Sequence, residues 1–210
     1  MKSIRPHEFF RALKQEPASR IAHIKLPLHR DLWTLETALL ITAIRLVDAR
    51  RIFEFGTFFG STTLNLALNS PEDAEVFTLD LPPERALASV ASGNDTSVAT
   101  ERLERAKLDF EGLECSSKIR QLIGNSREFD FSPFTQSIDL VFIDGGHDRE
   151  TVKSDTKNAF RMVRRSAPAF IFWHDYRNPA HPENTSFLDE LSRDRELTHI
   201  EDTLLVFLSF

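Results

Sequence analysis

The sequence predicts an α/β fold in which a parallel sheet ends in an antiparallel strand. Two observations carry that prediction. Between Arg51 and Trp173, short apolar runs alternate with amphipathic stretches, the pattern of strands joined by crossover helices. Past Trp173 the alternation stops, and two strand candidates, 197–200 and 204–210, are separated only by Glu201-Asp-Thr203. A link that short holds no crossover helix, and the pair must be a hairpin.

Each element has a local reason. Leu32, Leu35, Leu39, Ala43 and Leu46 recur at intervals of three and four, predicting a helix over 31–47. Leu40, Ile44 and Val47 widen its apolar stripe, which should pack on a sheet or on a second copy of the chain. Residues 7–15 read as a shorter helix stopped by Pro17. Strands are expected at 52–55, 75–80, 118–123, 138–143 and 169–173, each an apolar run bounded by Gly, Asp or His. Helices are expected at 61–69, 98–110 (closed by Gly112) and 150–163. The polar stretch 82–97 reads as a surface loop or lid. Residues 1–50 form an N-terminal extension, and 51–210 the main domain.

Composition narrows the function. With 41% hydrophobic and 28% charged residues, the chain is globular rather than disordered. Its single cysteine, Cys115, forms no internal disulfide and fits a reducing compartment. The start lacks a signal-peptide core, and no apolar run is long enough to span a bilayer. A cytoplasmic protein with no membrane partner is expected. The net charge of −6 argues against nucleic acid as a partner, although residues 1–51 hold ten Lys/Arg against five Asp/Glu. Lys153, Lys157, Arg161 and Arg164 recur at helical spacing and read as a solvated face.

In open α/β sheets, ligands bind beyond the carboxyl ends of the strands. The first such end reads Glu54-Phe-Gly56-Thr-Phe-Phe-Gly60-Ser-Thr62, a glycine-bearing turn leading into a helix. Phe58 stands where a dinucleotide motif needs its second glycine, and no Gly-Lys-Ser/Thr follows. A nucleoside-type ligand without a pyrophosphate remains. Asp80 ends the second strand, where a carboxylate can accept both hydroxyls of a ribose.

These residues, with Ile143-Asp-Gly-Gly-His147, Asp155 and Trp173-His-Asp-Tyr176, resemble the class I S-adenosylmethionine-dependent methyltransferases. The resemblance is to the small-molecule O-methyltransferase branch that includes macrocin-type sugar O-methyltransferases and cephalosporin hydroxylase-like proteins. It implies a Rossmann-like, seven-stranded, mostly parallel sheet with an antiparallel C-terminal strand, helices on both faces and an N-terminal helical extension. By resemblance, Glu54, Gly56, Thr57, Phe59, Gly60, Ser61 and Thr62 follow the methionine and ribose of S-adenosylmethionine. Asp80 and Leu81 meet the ribose, Asn125 and Ser126 border the adenine, and Asp144 and Gly145 close the cofactor site. The implied acceptor is a hydroxyl of a small molecule, and a homo-oligomer, a dimer, is expected.

Asp144 and Asp175 end adjacent strands on one edge, where two like charges call for a cation. Asp144, Asp175 and His174 are therefore the candidate ligands of a divalent metal, Mg²⁺ or Mn²⁺, with Asp144 and His147 the candidate catalytic pair. In the related enzymes such a metal orients the acceptor oxygen, and His147 would take its proton. The chain departs from its relatives at His174, where they often carry a carboxylate, which favours softer metals or a metal-free site. The base is His147 or His174 on this evidence. Two other readings stand beside the enzyme: a catalytically silent nucleotide-binding or scaffold subunit, and a nicotinamide-dependent oxidoreductase.

Overall fold

The computed structural model describes residues 1–11, 34–82 and 107–210, together with Arg85 and Thr100. The described residues form one eight-stranded sheet. Its strands are β1 (Lys2–Ile4), β2 (Arg51–Phe55), β3 (Glu75–Asp80), β4 (Ile119–Ile123), β5 (Leu140–Ile143), β6 (Phe170–Trp173), β7 (Thr198–Ile200) and β8 (Val206–Ser209). The helices are α1 (Pro6–Arg11), α2 (Thr34–Leu46), α3 (Ser61–Asn69), α4 (Arg149–Met162) and α5 (Pro182–Leu191). Strand order across the sheet is β1-β7-β8-β6-β5-β2-β3-β4. Only β8 runs against its neighbours, β6 and β7, as the hairpin argument requires.

The eighth strand was not expected. Lys2-Ser-Ile4 has no strand periodicity of its own. The free edge of β7 recruits it in parallel register, Lys2 opposite Thr198 and Ile4 opposite Ile200. The N-terminal region is thus a strand followed by helix, not helix alone. A second difference is α5, whose ten residues bury only Asn184, Phe187 and Leu188 and show little apolar periodicity. Its available signal was Pro182 in the first turn. The expected helix over 98–110 lies mostly outside the described residues, and 109–110 form a turn. The expected loop over 82–97 is likewise outside them, except for Pro82 and Arg85, and so are residues 12–33.

The sheet is buried on both faces because its strands alternate apolar side chains between two layers. Ile52, Phe142 and Phe172 pack with Leu39, Leu40 and Ile44 of α2 and Leu64 of α3. Phe53, Phe55, Val141, Ile143 and Trp173 pack on the other side with Met162 of α4 and Phe187 of α5. The wide apolar stripe of α2 is thus used within the chain. Buried Asp139 joins three segments: it accepts the backbone N–H groups of Arg50 and Arg51 at 2.9 Å and pairs with Arg164 at 3.1 Å. Arg164 therefore departs from the solvated face expected for it, while Lys153, Lys157 and Arg161 are exposed. Among the described residues, no helix is long and apolar enough to cross a membrane.

Candidate active site

The sheet's hydrogen-bond ladder continues one residue past the strand ends. Gly56 N–H donates to Leu79 O at 2.8 Å, Asp144 N–H to Phe55 O at 2.9 Å and His174 N–H to Ile143 O at 3.0 Å. The loops after β2, β5 and β6 therefore leave the sheet side by side, which brings their side chains to one edge. At Gly56 (φ +92°) an added Cβ would sit 2.2 Å from the carbonyl oxygen of Asp144. Glycine is obligatory there for two reasons, the left-handed backbone and the contact.

On one side of this edge lie most of the expected cofactor residues. The Asp80 carboxylate accepts the backbone N–H of Phe58 and its own neighbour's, Leu81, both at 2.9 Å, which fixes the glycine-bearing turn against β3. Gly56, Thr62, Asp80, Leu81, Asn125, Ser126, Asp144 and Gly145 are half-buried. Buried Asp155 is hydrogen-bonded by Ser126, and burial pushes its carboxyl up to about 7. Glu54, Thr57, Phe59, Gly60 and Ser61 are instead inside the protein. Thr57 shares a hydrogen bond with Thr78 at 2.7 Å, and Ser61 donates to Asp109, so these residues shape the turn from behind.

Glu54 is the clearest of them. Strand alternation turns it to the α3 side, where Thr63 donates to its carboxyl and Thr78 does so at 2.6 Å. Burial pushes its pKa up to about 8, against the opposing effect of the two hydroxyls. An acid with a raised folded pKa binds its proton longer when folded than when unfolded. Stability therefore falls as pH rises from about 4.5 towards about 8, where Glu54 ionises in the folded chain. Glu54→Gln is expected to flatten that fall by a few kcal/mol in order of magnitude, read as the thermal midpoint of the ligand-free protein across this pH range.

On the other side of the edge, Asp144, His147, His174 and Asp175 come together with two residues the sequence reading missed, Glu36 and His181. His174 is almost enclosed. Its Nδ1 lies 3.0 Å from Asp144 Oδ1 and 3.5 Å from Asp175 Oδ2, and its Nε2 lies 3.3 Å from Glu36 Oε2. Burial works against its charge, yet Asp144, Asp175 and Glu36 hold its pKa well above the ordinary imidazole value. Glu36 also accepts the Leu204 N–H at 2.6 Å, which anchors α2 to the C-terminal hairpin. His147 Nε2 is 3.0 Å from Asp175 Oδ2, and its ring stacks on His181 with centroids 3.6 Å apart. Although burial would raise the Asp175 carboxyl, its bonds from His147 and His174 hold it far below the usual range. Asp175 adopts φ +62°, a conformation Asp tolerates better than most residues, and Asn178 donates to its Oδ1 at 2.6 Å.

Residues 53–176, more than half of the chain, match the family model of a methyltransferase domain. The chain belongs to that methyltransferase domain family. Its fold is shared with solved O-methyltransferases. TomG from Streptomyces achromogenes, involved in tomaymycin synthesis and solved with SAM, is 18% identical with a TM-score of 0.56, covering 98% of this chain and 88% of that one. An O-methyltransferase from Bacillus cereus in complex with SAH is 16% identical with a TM-score of 0.57, covering 97% and 90%. SAH-bound PaMTH1 of Podospora anserina is 13% identical with a TM-score of 0.58, covering 97% and 85%. No curated protein sequence matches the chain.

The methyltransferase domain's acidic edge can be tested against the divalent metal expected there. Ligand atoms of Asp144, His174 and Asp175 lie within 4.8 Å of one another, so the spacing allows an ion. The donor chemistry does not. A ligating imidazole must aim a lone pair at the metal, whereas both nitrogens of His174 face carboxylates at hydrogen-bonding distance. Two carboxylates alone are a sparse set for a hard cation such as Mg²⁺. Asp144, His174 and Asp175, paired with one another and with Glu36 as they are, do not fit the expected metal, and no step below passes through one.

Glu36, N-terminal to the matched domain, had a signal that could have found it. It falls four residues before Leu40 and eight before Ile44, a carboxylate in register with the apolar stripe of its helix. His181 had none, since it precedes a helix that the sequence did not reveal.

Proposed function

We propose that this chain is an S-adenosylmethionine-dependent O-methyltransferase that acts on a hydroxyl group of a small molecule. One observation carries the reading: an Asp175-oriented histidine, His147, stands at the same strand edge as the Gly56–Asp80 turn. The solved structures of the same fold, which carry SAM or SAH, support the choice of cofactor. Asp80 is expected to hold the ribose of the cofactor and Asn125 and Ser126 to border its adenine. The acceptor then lies near His147.

Methyl transfer is a displacement in which acceptor oxygen, methyl carbon and sulfur must lie in line, so positioning supplies much of the rate. With Nε2–H donating to Asp175, a neutral His147 ring would carry its lone pair on Nδ1. Nδ1 takes the acceptor's proton as the oxygen–carbon bond forms, and the nearby Asp175 carboxylate stabilises the resulting imidazolium. The metal assistance suggested by resemblance is left out, because both nitrogens of His174 face carboxylates.

Calorimetry with S-adenosylmethionine tests the cofactor directly. The native chain should release heat on binding, and Asp80→Ala should weaken binding by at least about tenfold, losing a charge-assisted bond worth about 1.5–3 kcal/mol. No heat with the native chain would sink the proposal. The hydroxyl specificity is then read by methyl transfer to a panel of phenols and glycosides.

A further inference from the structure

Three carboxylates, from Glu36, Asp144 and Asp175, converge on the buried ring of His174 behind the proposed acceptor site. They belong to α2 and to the ends of β5 and β6, so the fold itself forces them together. Carboxylates brought this close together need a hydrogen-bond donor or a cation among them. The group between them is His174, only 9% exposed, with Nδ1 facing Asp144 and Asp175 and Nε2 facing Glu36. A neutral imidazole has one N–H and one lone pair. At this position one of its nitrogens would set a lone pair against a carboxylate, whereas the doubly protonated ring donates at both ends.

We propose that His174, held between carboxylates at both ring nitrogens, fills the place where a divalent metal would otherwise sit, so that Glu36, Asp144, His174 and Asp175 form a closed hydrogen-bonded cluster and not a metal site. His174 acts as a positioning residue. Its ring stands between Glu36 on one side and Asp144 and Asp175 on the other, and the Asp175 carboxylate is what orients His147. The high pKa of His174 follows from the same three partners. Glu36 is the residue that makes this arrangement specific, because it engages the second nitrogen and leaves neither free. A carboxylate at position 174 would instead give four acids and no imidazole between them, which is a hard-oxygen cage for Mn²⁺ or Mg²⁺.

This inference deepens the methyl-transfer reading and rests on it for the role of His147, but its test needs neither acceptor nor catalysis. The protein, ¹⁵N-labelled at histidine, is examined by NMR at about pH 8, above the ordinary imidazole range, with the His174 signals assigned by their loss in His174→Gln. Mn²⁺ and Mg²⁺ should leave both ring-nitrogen signals in place. In parallel, Mn²⁺ is titrated into the native chain and into His174→Glu. The variant should bind at least about tenfold more tightly and gain a Mn²⁺-dependent rise in thermal midpoint that the native chain lacks. A variant that folds only with Mn²⁺ supports the proposal in the same way. Displacement or loss of the native ring-nitrogen signals on adding either ion overturns it, as does native Mn²⁺ binding as tight as that of His174→Glu. Should the variant fold under no condition, the NMR result alone decides. Absence of S-adenosylmethionine binding would leave these readouts intact, so the two readings fail separately.

Discussion

Replacing His147 with alanine should lower methyl transfer by about 10²–10⁴-fold, the range expected for loss of a positioned general base. Affinity for S-adenosylmethionine should stay within a few-fold, because His147 lies on the Asp175 side of the edge, away from the Asp80 turn. The effect should therefore fall on kcat, with calorimetry on the cofactor nearly unchanged. His147 must be neutral to accept a proton, so the native rate rises with pH along its acid limb. That limb should disappear in the variant, a readout that simple loss of packing against His181 would not produce. Asp175→Asn is the companion variant. Asn tolerates the left-handed backbone at this position, so the fold should survive while the orienting charge is lost. Retention of full activity by His147→Ala would remove the proposed base.

Gly56→Ala should be the most damaging single methyl group added anywhere at this edge. Its Cβ would sit 2.2 Å from Asp144 O and 2.8 Å from Asp144 C, backbone atoms that cannot swing aside. The backbone at φ +92° adds strain of its own. Together these should cost about 3–5 kcal/mol, read as a lower denaturant midpoint with unchanged slope. Loss of cofactor binding should follow, since the loops after β2 and β5 must separate to admit the methyl. Gly112→Ala isolates the second contribution. It has φ +78° but nothing within 4 Å of the added carbon, so it should cost only about 1 kcal/mol. Equal effects in the two variants would mean that the contact with Asp144 is unimportant.

The central strands were legible because a parallel strand covered on both faces is a continuous apolar run, and β2, β3, β5 and β6 each stop at a glycine, aspartate or histidine. The same stops revealed the site, since residues such as Gly56, Asp80, Asp144 and His174 stand where chain direction places ligands. What stayed hidden depends on distant partners. β1 is a strand only because β7 offers it an edge, and α5 is held by two buried apolar residues. Glu36 meets His174 across 138 residues of sequence, a contact that no local pattern encodes. The metal expectation turned on this hidden residue. With Glu36 unseen, His174 reads as an available ligand, and with Glu36 in place both of its nitrogens face carboxylates.

β1 has a bearing on how the molecule keeps to itself. Without Lys2-Ser-Ile4, the row of backbone groups along β7 would face outward as an open seam, able to join the same seam on another molecule. The three residues cover that seam with a strand carrying a lysine and a serine, short enough that little ladder remains beyond it. Three residues, one of them apolar, thus leave β7 without an open edge for another sheet to join.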